Sequence, residues 1–154
     1  MRALIQRVAR AQASDSALPN KNIAEIPHGL VILAGFEEKD SPVIIEQMAQ
    51  KIKSLRIFSD AAGKMNHAGP EVGAHYLITS QFTLFAECKY GNRPSFDKAA
   101  SKARAKEYYE HFATTMKRLM GAENVQWTAF GSDLQVELVN DRPVTIWLDS
   151  DEVL

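Results

Sequence analysis

The chain has 154 residues, of which 45% are hydrophobic and 24% are charged, which suits one globular domain with its own core. Its 18 Lys and Arg residues against 19 Asp and Glu residues give a net charge of −1. Near-neutral charge argues against a protein that coats long stretches of nucleic acid, because that needs many phosphate contacts. A small nucleic-acid footprint stays possible.

The composition also bears on compartment and domain count. The single cysteine, Cys88, excludes an internal disulfide. The first residues, MRALIQRVAR, contain no apolar core of signal-peptide length, and no apolar run approaches the roughly 18 residues of a membrane span. A cytoplasmic protein without a membrane partner is therefore expected, with residues 1–150 as one domain and residues 151–154 as an acidic tail that frays.

Strands are predicted in the first third of the chain. Residues 3–8 have the composition of a short first strand, whereas residues 14–22 have that of a loop. Residues 29–36 are almost continuously apolar and bounded by glycine, which is typical of a central strand covered on both faces.

Two helices are predicted to cover this sheet. Ser41 followed by Pro42 is a favoured helix start, and apolar residues then recur at three- and four-residue spacings. The second helix is expected to begin at Asp97 or Ser101 and to end at Gly121.

The last third of the chain predicts three strands and a turn. Residues 125–130 are read as one strand, and residues 134–138 alternate strictly between apolar and polar, as in a half-buried strand. Residues 140–143 are expected to turn the chain so that residues 144–148 return antiparallel.

The most informative stretch starts as a strand at residues 76–79 and then breaks its pattern. Ser80, Gln81 and Thr83 bring two hydroxyls and a carboxamide among large apolar side chains. Buried polar groups cost free energy unless they are paired, so these groups either satisfy one another in a local turn or face a ligand. Both interpretations stay open on the residues alone.

A basic and aromatic loop follows at residues 87–96. Lys89 and Arg93 stand among aromatic residues, which suits either a solvated loop or a ligand with phosphate and base. A nucleophilic Cys88 is disfavoured because no histidine lies near it in sequence. His67 and His75 lack a metal-ligand spacing, so neither a metal nor another cofactor is expected.

Five segments together resemble the D-aminoacyl-tRNA deacylases: MRALIQRV at the start, LRIF, SQFTL at 80–84, RPSF at 93–96 and VELVNDRPVT at 136–145. They occur in that order and with similar spacing over roughly residues 1–150. The resemblance implies an α/β fold, a single-domain, mixed and largely antiparallel sheet with a barrel-like core, two main covering helices and a homodimer. It also implies a cytoplasmic enzyme that hydrolyses the ester between a D-amino acid, or glycine, and the 3′-terminal adenosine of tRNA.

The resemblance also implies roles for particular residues. Ser80, Gln81, Phe82 and Thr83 are expected at the ester, with backbone N–H groups stabilising the developing negative charge. No Ser-His-Asp triad can be assembled from four scattered histidines, and a Thr83 hydroxyl without a base is a weak nucleophile. The substrate's own ribose 2′-OH is expected to help activate water. The substrate-binding residues expected beside the ester are Phe130, Lys89, Arg93, Arg142 and Pro143, with Lys98 and Lys102 nearby for tRNA.

The sequence departs from the family at Arg142. Family members carry glycine there, before a proline in a cis peptide whose carbonyls enter the partner subunit's pocket and exclude an L-amino acid. We expect Pro143 to remain cis and Arg142 to point to solvent or to an acidic neighbour, so that D-selectivity survives. If the position has positive φ, the alternative is a trans peptide and weaker selection, which Arg142→Gly would restore.

Two other function classes remain open at the level of sequence. An editing domain related to those of threonyl-tRNA synthetases would share the architecture and correct a different amino acid, but is expected to be fused to a synthetase. A non-catalytic tRNA-binding module would bind tRNA without turnover. The longer, less strand-like segment 14–22 is a second departure from the family pattern.

Overall fold

The computed structural model describes the backbone of residues 1–154 and the side chains of residues 1–18 and 23–154. The strands of this chain are β1 Arg2–Asp15, β2 Leu18–Ile26, β3 Gly29–Gly35, β4 Phe58–Ser59, β5 Met65–His67, β6 His75–Ser80, β7 Val125–Trp127 and β8 Leu134–Asp149. The α-helices are α1 Pro42–Ser54, α2 Lys102–Met120 and α3 Ser150–Val153. Short 3-10 helices span Gly69–Val72, Phe82–Phe85 and Ala122–Asn124.

One six-stranded mixed sheet organises the molecule. Its order is β2-β1-β3-β6-β7, and β8 pairs with β1. Strands β3, β6 and β7 run parallel to one another, whereas β1 is antiparallel to β2, β3 and β8. Because β2 also contacts β6 and β7, the sheet is nearly closed. The predicted single-domain, mixed and barrel-like α/β fold is therefore confirmed.

The main core lies between this sheet and the helices α1 and α2. Ile45 and Met48 of α1 and Phe112 of α2 are completely buried against it. Strand β3 is covered on both faces, as predicted, since a second, smaller apolar cluster including Val31 and Leu77 lies on the other side of the sheet. Burial of this apolar surface is the main favourable term in folding.

The helix ends follow the local chemistry of the sequence. The Ser41 hydroxyl accepts a hydrogen bond from the Ile44 amide at 3.3 Å, and Pro42 occupies the start of α1. Helix α2 has Ser101 as its N-terminal flanking residue and ends at Gly121, whose φ of 89° suits glycine. The predicted starts of both helices and the predicted end of α2 at Gly121 are confirmed.

Strand β1 is longer than predicted. The expected loop 14–22 is wrong at Ser14 and Asp15, because both residues pair with β8 as part of β1. Pairing with a neighbouring strand has overridden a loop-like composition here. The prediction is also wrong from Leu18 onward, because the backbone of Leu18–Ile26 forms β2, so that only Ser16 and Ala17 turn the chain between β1 and β2.

Strand β8 replaces a predicted hairpin. The turn expected at residues 140–143 is wrong: β8 runs unbroken from Leu134 to Asp149 and follows β1 along its length. Between the pairs Val8–Asn140 and Gln6–Thr145, four residues of β8 face one residue of β1, which makes a large β-bulge. Residues 144–148 therefore continue the strand instead of returning along it.

The remaining differences are at the ends of elements. The strand predicted at residues 125–130 stops at Trp127. The tail expected to fray forms α3 in the structure, with Asp149 accepting a hydrogen bond from the Asp151 amide at 3.1 Å. Within the described residues, none of the helices is long and apolar enough to cross a bilayer.

Candidate active site

The candidate site lies where two parallel neighbours, β6 and β7, end and their chains separate. The Gln81 amide still donates to the Ala34 carbonyl at 2.8 Å, after which the chain turns into the 3-10 helix Phe82–Phe85. On the other side, the Thr128 amide donates to the Ile78 carbonyl at 3.1 Å before the chain leaves the sheet. Ligands of α/β proteins commonly bind at the carboxyl ends of parallel strands, where chains diverge in this way.

Two adjoining cavities open at this point. One has a volume of about 320 Å³, with residues 79–82 on one wall and residues 130–134 on the other. The second, of about 410 Å³, is lined mainly by the rings of Phe82, Phe96 and Phe130 and by alanines of the segment before α2. Both cavities share Phe82, Phe130 and Gly131, and both volumes lie in the range of small-molecule sites.

The polar side chains at the end of β6 do two things at once. The Ser80 hydroxyl accepts a hydrogen bond from the Gly131 amide at 3.2 Å, which ties one wall of the first cavity to the other. The Gln81 carboxamide donates to the Thr83 hydroxyl at 2.5 Å. These residues therefore satisfy one another locally, and Ser80, Gln81 and Phe82 also line a cavity.

Nothing near the cavities resembles a catalytic triad. His28 and His75 lie together at the start of β3 and β6, with ring centroids 6.5 Å apart. The six residues of β6 place Ser80 roughly 16 Å from that end of the strand. In the part of the chain with described side chains, no histidine lines either cavity, and no group of three or more His, Cys, Asp and Glu could hold a metal ion.

The basic loop is attached to the site through aromatic contacts. The backbones of Glu87 and Ser95 exchange two hydrogen bonds, of 2.8 and 3.0 Å, which close the loop at its base. Phe96 then packs edge-to-face on Phe82, with ring centroids 5.0 Å apart. Lys89 and Arg93 are both exposed on this loop.

The two further lysines of the predicted tRNA surface differ in their contacts. The Lys98 ammonium lies 2.9 Å from the Glu87 carboxylate, and that hydrogen bond, with a second one from the Lys89 amide, lowers the pKa of Glu87. Lys102, at the start of α2, lines the aromatic cavity. Of the two, Lys102 is the cation that lines a cavity.

The family model described as D-Tyr-tRNA(Tyr) deacylase matches residues 4–149 of this sequence. The chain belongs to the D-Tyr-tRNA(Tyr) deacylase family. It is 44% identical to a D-aminoacyl-tRNA deacylase of Dictyoglomus turgidum, over 99% of this chain and 95% of that protein. It is 43% identical to a D-aminoacyl-tRNA deacylase of Desulfotalea psychrophila, over 99% of both proteins.

Two solved structures have a similar fold. A protein titled c-Myc DNA Unwinding Element Binding Protein superposes with a TM-score of 0.89 at 33% identity, over 97% of this chain and 98% of that chain. A probable eukaryotic D-amino acid tRNA deacylase superposes with a TM-score of 0.77 at 15% identity, over 96% of this chain and 97% of that one. The second similarity concerns the fold alone.

Among the deacylase residues predicted for substrate binding, Arg142 and Pro143 are not brought to the cavities. Both are exposed in the bulge of β8. The expected cis peptide is wrong, because the bond between them is trans. Arg142 has a φ of 57°, in the left-handed region. A positive φ at this position is the condition under which the alternative, a trans peptide, is expected from the sequence. The buried Arg7 guanidinium lies inside the bulge, 3.0 Å from the Asp141 carboxylate, and donates a hydrogen bond of 3.2 Å to the Asp141 carbonyl.

The structure also adds residues that the sequence analysis missed. The second wall of the polar cavity includes Gly131, Ser132 and Asp133, whose composition indicates only a turn before the next strand. Asp133 is held in turn by Ser16 in the β1–β2 turn, whose amide donates to the Asp133 carbonyl at 3.0 Å. A Gly-Ser-Asp turn after a predicted strand was the available signal, but only the parallel pairing of β6 and β7 shows that the turn lies opposite Ser80.

Proposed function

We propose that the protein hydrolyses the ester bond of D-aminoacyl-tRNA and releases a free D-amino acid and tRNA. The observation that carries this proposal is the polar cavity at the end of β6, lined by the Ser80-Gln81-Phe82 part of the motif that first indicated the family. Its relatives named D-aminoacyl-tRNA deacylase are 42–44% identical over almost the whole chain, which supports the same activity.

The site supports attack by a water molecule on an ester that the cavity holds in position. Water adds to the ester carbonyl carbon, the negative charge of the tetrahedral intermediate is stabilised by the backbone N–H groups of Phe82 and Thr83, and the proton from water leaves with the 3′-oxygen of the ribose. The 2′-OH of the substrate helps to orient the water. The Thr83 hydroxyl, held by Gln81 and without a neighbouring base, is not the nucleophile.

The two cavities suit the two parts of the substrate. Aromatic rings are good stacking surfaces for bases, so the cavity walled by Phe82, Phe96 and Phe130 would take the terminal adenine. The smaller polar cavity would take the aminoacyl group. Glycine, which lacks a side chain, would fit there too, so Gly-tRNA mischarged on tRNA-Ala is a second proposed substrate.

The tRNA would be held at its acceptor end by a small set of cations. Lys89 and Arg93 lie on the loop that leads to Phe96, Lys102 lines the aromatic cavity, and all three are exposed. Lys98 contributes less, because its ammonium is already paired with Glu87. A footprint of this size fits the near-zero net charge of the chain.

The working enzyme would be a cytoplasmic homodimer. The exposed bulge with Arg142 and Pro143 does not line the cavities of its own chain, which suits a segment that acts on a neighbouring subunit. In the family pattern this segment enters the partner's pocket. Its exposure here supports the same arrangement.

The deciding experiment incubates the protein with D-Tyr-tRNA and L-Tyr-tRNA and follows loss of the ester, with Ser80→Trp as the inactive control. We expect hydrolysis of D-Tyr-tRNA by the wild type. Binding of tRNA without turnover would identify a non-catalytic tRNA-binding module instead. Turnover of a different L-aminoacyl-tRNA alone would identify an editing domain of the threonyl-tRNA synthetase class.

A further inference from the structure

Tyr109 carries a buried hydroxyl that packing does not require. It lies on α2 and is 1% exposed. Its hydroxyl oxygen lies 2.8 Å from the Thr128 carbonyl and 3.0 Å from the Ile78 carbonyl, and it also approaches the Thr128 hydroxyl at 3.4 Å. A phenylalanine would fill the same space, and a buried hydroxyl is costly unless it is fully paired.

This hydroxyl lies where the two walls of the polar cavity separate. The Ile78 carbonyl also accepts the Thr128 amide at 3.1 Å, in the last contact between the two chains within the sheet. One residue further, the Thr128 hydroxyl donates to the Thr79 hydroxyl at 3.1 Å, and Thr79 lines the cavity. Beyond this point one chain leads to Ser80 and the other to Phe130.

The same network continues towards the groups proposed for catalysis. Tyr109 packs against the Phe130 ring, with centroids 5.8 Å apart. Phe130 precedes Gly131, whose amide donates to Ser80. A fully paired buried network of this kind fixes the geometry of the groups attached to it. The phenol thus joins helix α2 to both walls of the cavity.

We propose that Tyr109 is a positioning residue for ester hydrolysis, because its hydroxyl joins the two diverging chains and so sets the separation of the cavity walls. The inference rests on the proposed deacylase function. Without the hydroxyl, the carbonyls of Ile78 and Thr128 lose their shared donor and the wall carrying Gly131 shifts against Ser80. A displacement of about 1 Å at a catalytic site can lower the rate about 100-fold, even when substrate binding is little changed.

The test is Tyr109→Phe, with Tyr108→Phe as its matched control. Tyr108 is the preceding residue and is similarly buried, but its hydroxyl donates to the Asp40 carbonyl, away from both cavities. We expect kcat for D-Tyr-tRNA to fall at least about tenfold in Tyr109→Phe while KM changes less than about twofold, and we expect Tyr108→Phe to keep both constants within about twofold. Equal loss in the two variants, or a wild-type kcat in Tyr109→Phe, would overturn the proposal.

A second pair of variants covers the case in which Tyr109→Phe does not fold. Thr128→Val removes the hydroxyl that links Tyr109 to Thr79, whereas Thr128→Ser keeps it. We expect the valine variant to lose at least about tenfold in kcat and the serine variant to recover most of it. Similar activity in both would contradict the proposed network.

A structural readout separates this inference from the proposed function. If the wild type does not hydrolyse D-Tyr-tRNA, the proposed function fails, but the amide resonances of Phe82 and Gly131 still report on the cavity walls. We expect Tyr109→Phe to shift the Gly131 resonance and Tyr108→Phe to leave it in place. An unchanged Gly131 resonance in Tyr109→Phe would refute the positioning role independently of activity.

Discussion

The cavity at the end of β6 and the bulge of β8 carry the two halves of the residue set predicted for this site, and the fold treats them differently. Both walls of the cavity come from one chain, since the Gly131 amide bonds to Ser80 across it and Tyr109 joins the walls from beneath. The bulge is exposed and contributes to neither cavity. Folding of one chain thus brings the cavity residues together, whereas the bulge residues stay exposed and can contact a second molecule.

The largest effect on activity is expected from a side chain that fills the cavity. We expect Ser80→Trp to lower kcat/KM for D-Tyr-tRNA by at least about 100-fold, because the indole ring occupies the space of the ester and displaces the backbone donors. Thr83→Ala should keep activity within about tenfold, since in the proposed mechanism the hydroxyl is not the nucleophile. A loss of about 10⁴-fold in folded Thr83→Ala, with a covalent Thr83 ester in the wild type, would contradict this mechanism.

The next experiment asks whether the bulge works on its own chain or on a partner. Ser80→Trp is mixed with a variant whose bulge is disrupted at Pro143, each being inactive alone. If the bulge acts on the partner's cavity, heterodimers regain one working site, and about a quarter of wild-type activity should return after exchange of subunits. No recovery, in a mixture shown by native mass spectrometry to contain heterodimers, would place the bulge in the site of its own chain.

The burial of the Tyr76 and Tyr109 hydroxyls should make the stability of the protein fall at alkaline pH. Burial raises the pKa of both Tyr76 and Tyr109 to about 12, from an ordinary value of 10. Below pH 10 both tyrosines are neutral in the folded and unfolded chains, so their full contribution is present. Between pH 10 and 12 the unfolded chain ionises first, and stability falls by about 2–3 kcal/mol per tyrosine, half of it by about pH 11.

Urea unfolding at several pH values above 9, together with the ultraviolet absorbance of tyrosinate, measures this effect. The double variant Tyr76→Phe with Tyr109→Phe supplies the control, because it should lose stability less steeply than the wild type over the same range. Equal slopes for the two proteins would show that neither hydroxyl resists ionisation in the folded state.

Arg142 offers a smaller test on the side of the bulge. Its φ of 57° costs a non-glycine residue about 1 kcal/mol, so Arg142→Gly should stabilise the protein by about that amount. Arg142→Ala is the control, since it removes the cation but keeps the Cβ that causes the strain. With the trans peptide found here, we expect Arg142→Gly also to raise the preference for D- over L-Tyr-tRNA. Equal stability of the glycine and alanine variants would remove backbone strain as the cause.

The smallest expected effect is the dependence of tRNA affinity on salt. Each phosphate contact steepens the plot of log K against log salt by about 0.9 for a duplex and about 0.7 for a single strand. With Lys89, Arg93 and Lys102 as the main contacts, a slope magnitude of about two to four is expected, reduced by about one in Arg93→Ala. A slope near ten would require a much larger surface than the one around Phe96.

Much of the fold follows from local signals in the sequence. The serine-proline start of α1, the glycine-bounded apolar run of β3 and the glycine at the end of α2 each specify an element through their own chemistry. The same holds for the polar residues at the end of β6, because their conflict with their apolar neighbours marks the site in the sequence alone. Local propensity and tertiary contacts agree at these positions.

The wrong predictions concern residues whose structure is set by pairing with a strand that is distant in sequence. Residues 140–143 have the composition of a turn, but β1 is long enough to pair with β8 on both sides of them, so they become a bulge around Arg7. Ser14 and Asp15 have loop chemistry and are drawn into β1 by the same strand. The composition of a segment does not reveal how long its partner strand is. Neither the bulge nor the extension of β1 could therefore be predicted from these residues alone.

By itself, the sequence determined α1, α2 and β3, the family and the motif at the end of β6, because each of these depends on neighbouring residues. Only the tertiary structure decided which polar groups serve the cavity. Tyr108 and Tyr109 are chemically identical neighbours, yet successive residues of a helix point about 100° apart. One hydroxyl therefore reaches the Asp40 carbonyl, and the other reaches the carbonyls of Ile78 and Thr128 beneath the cavity.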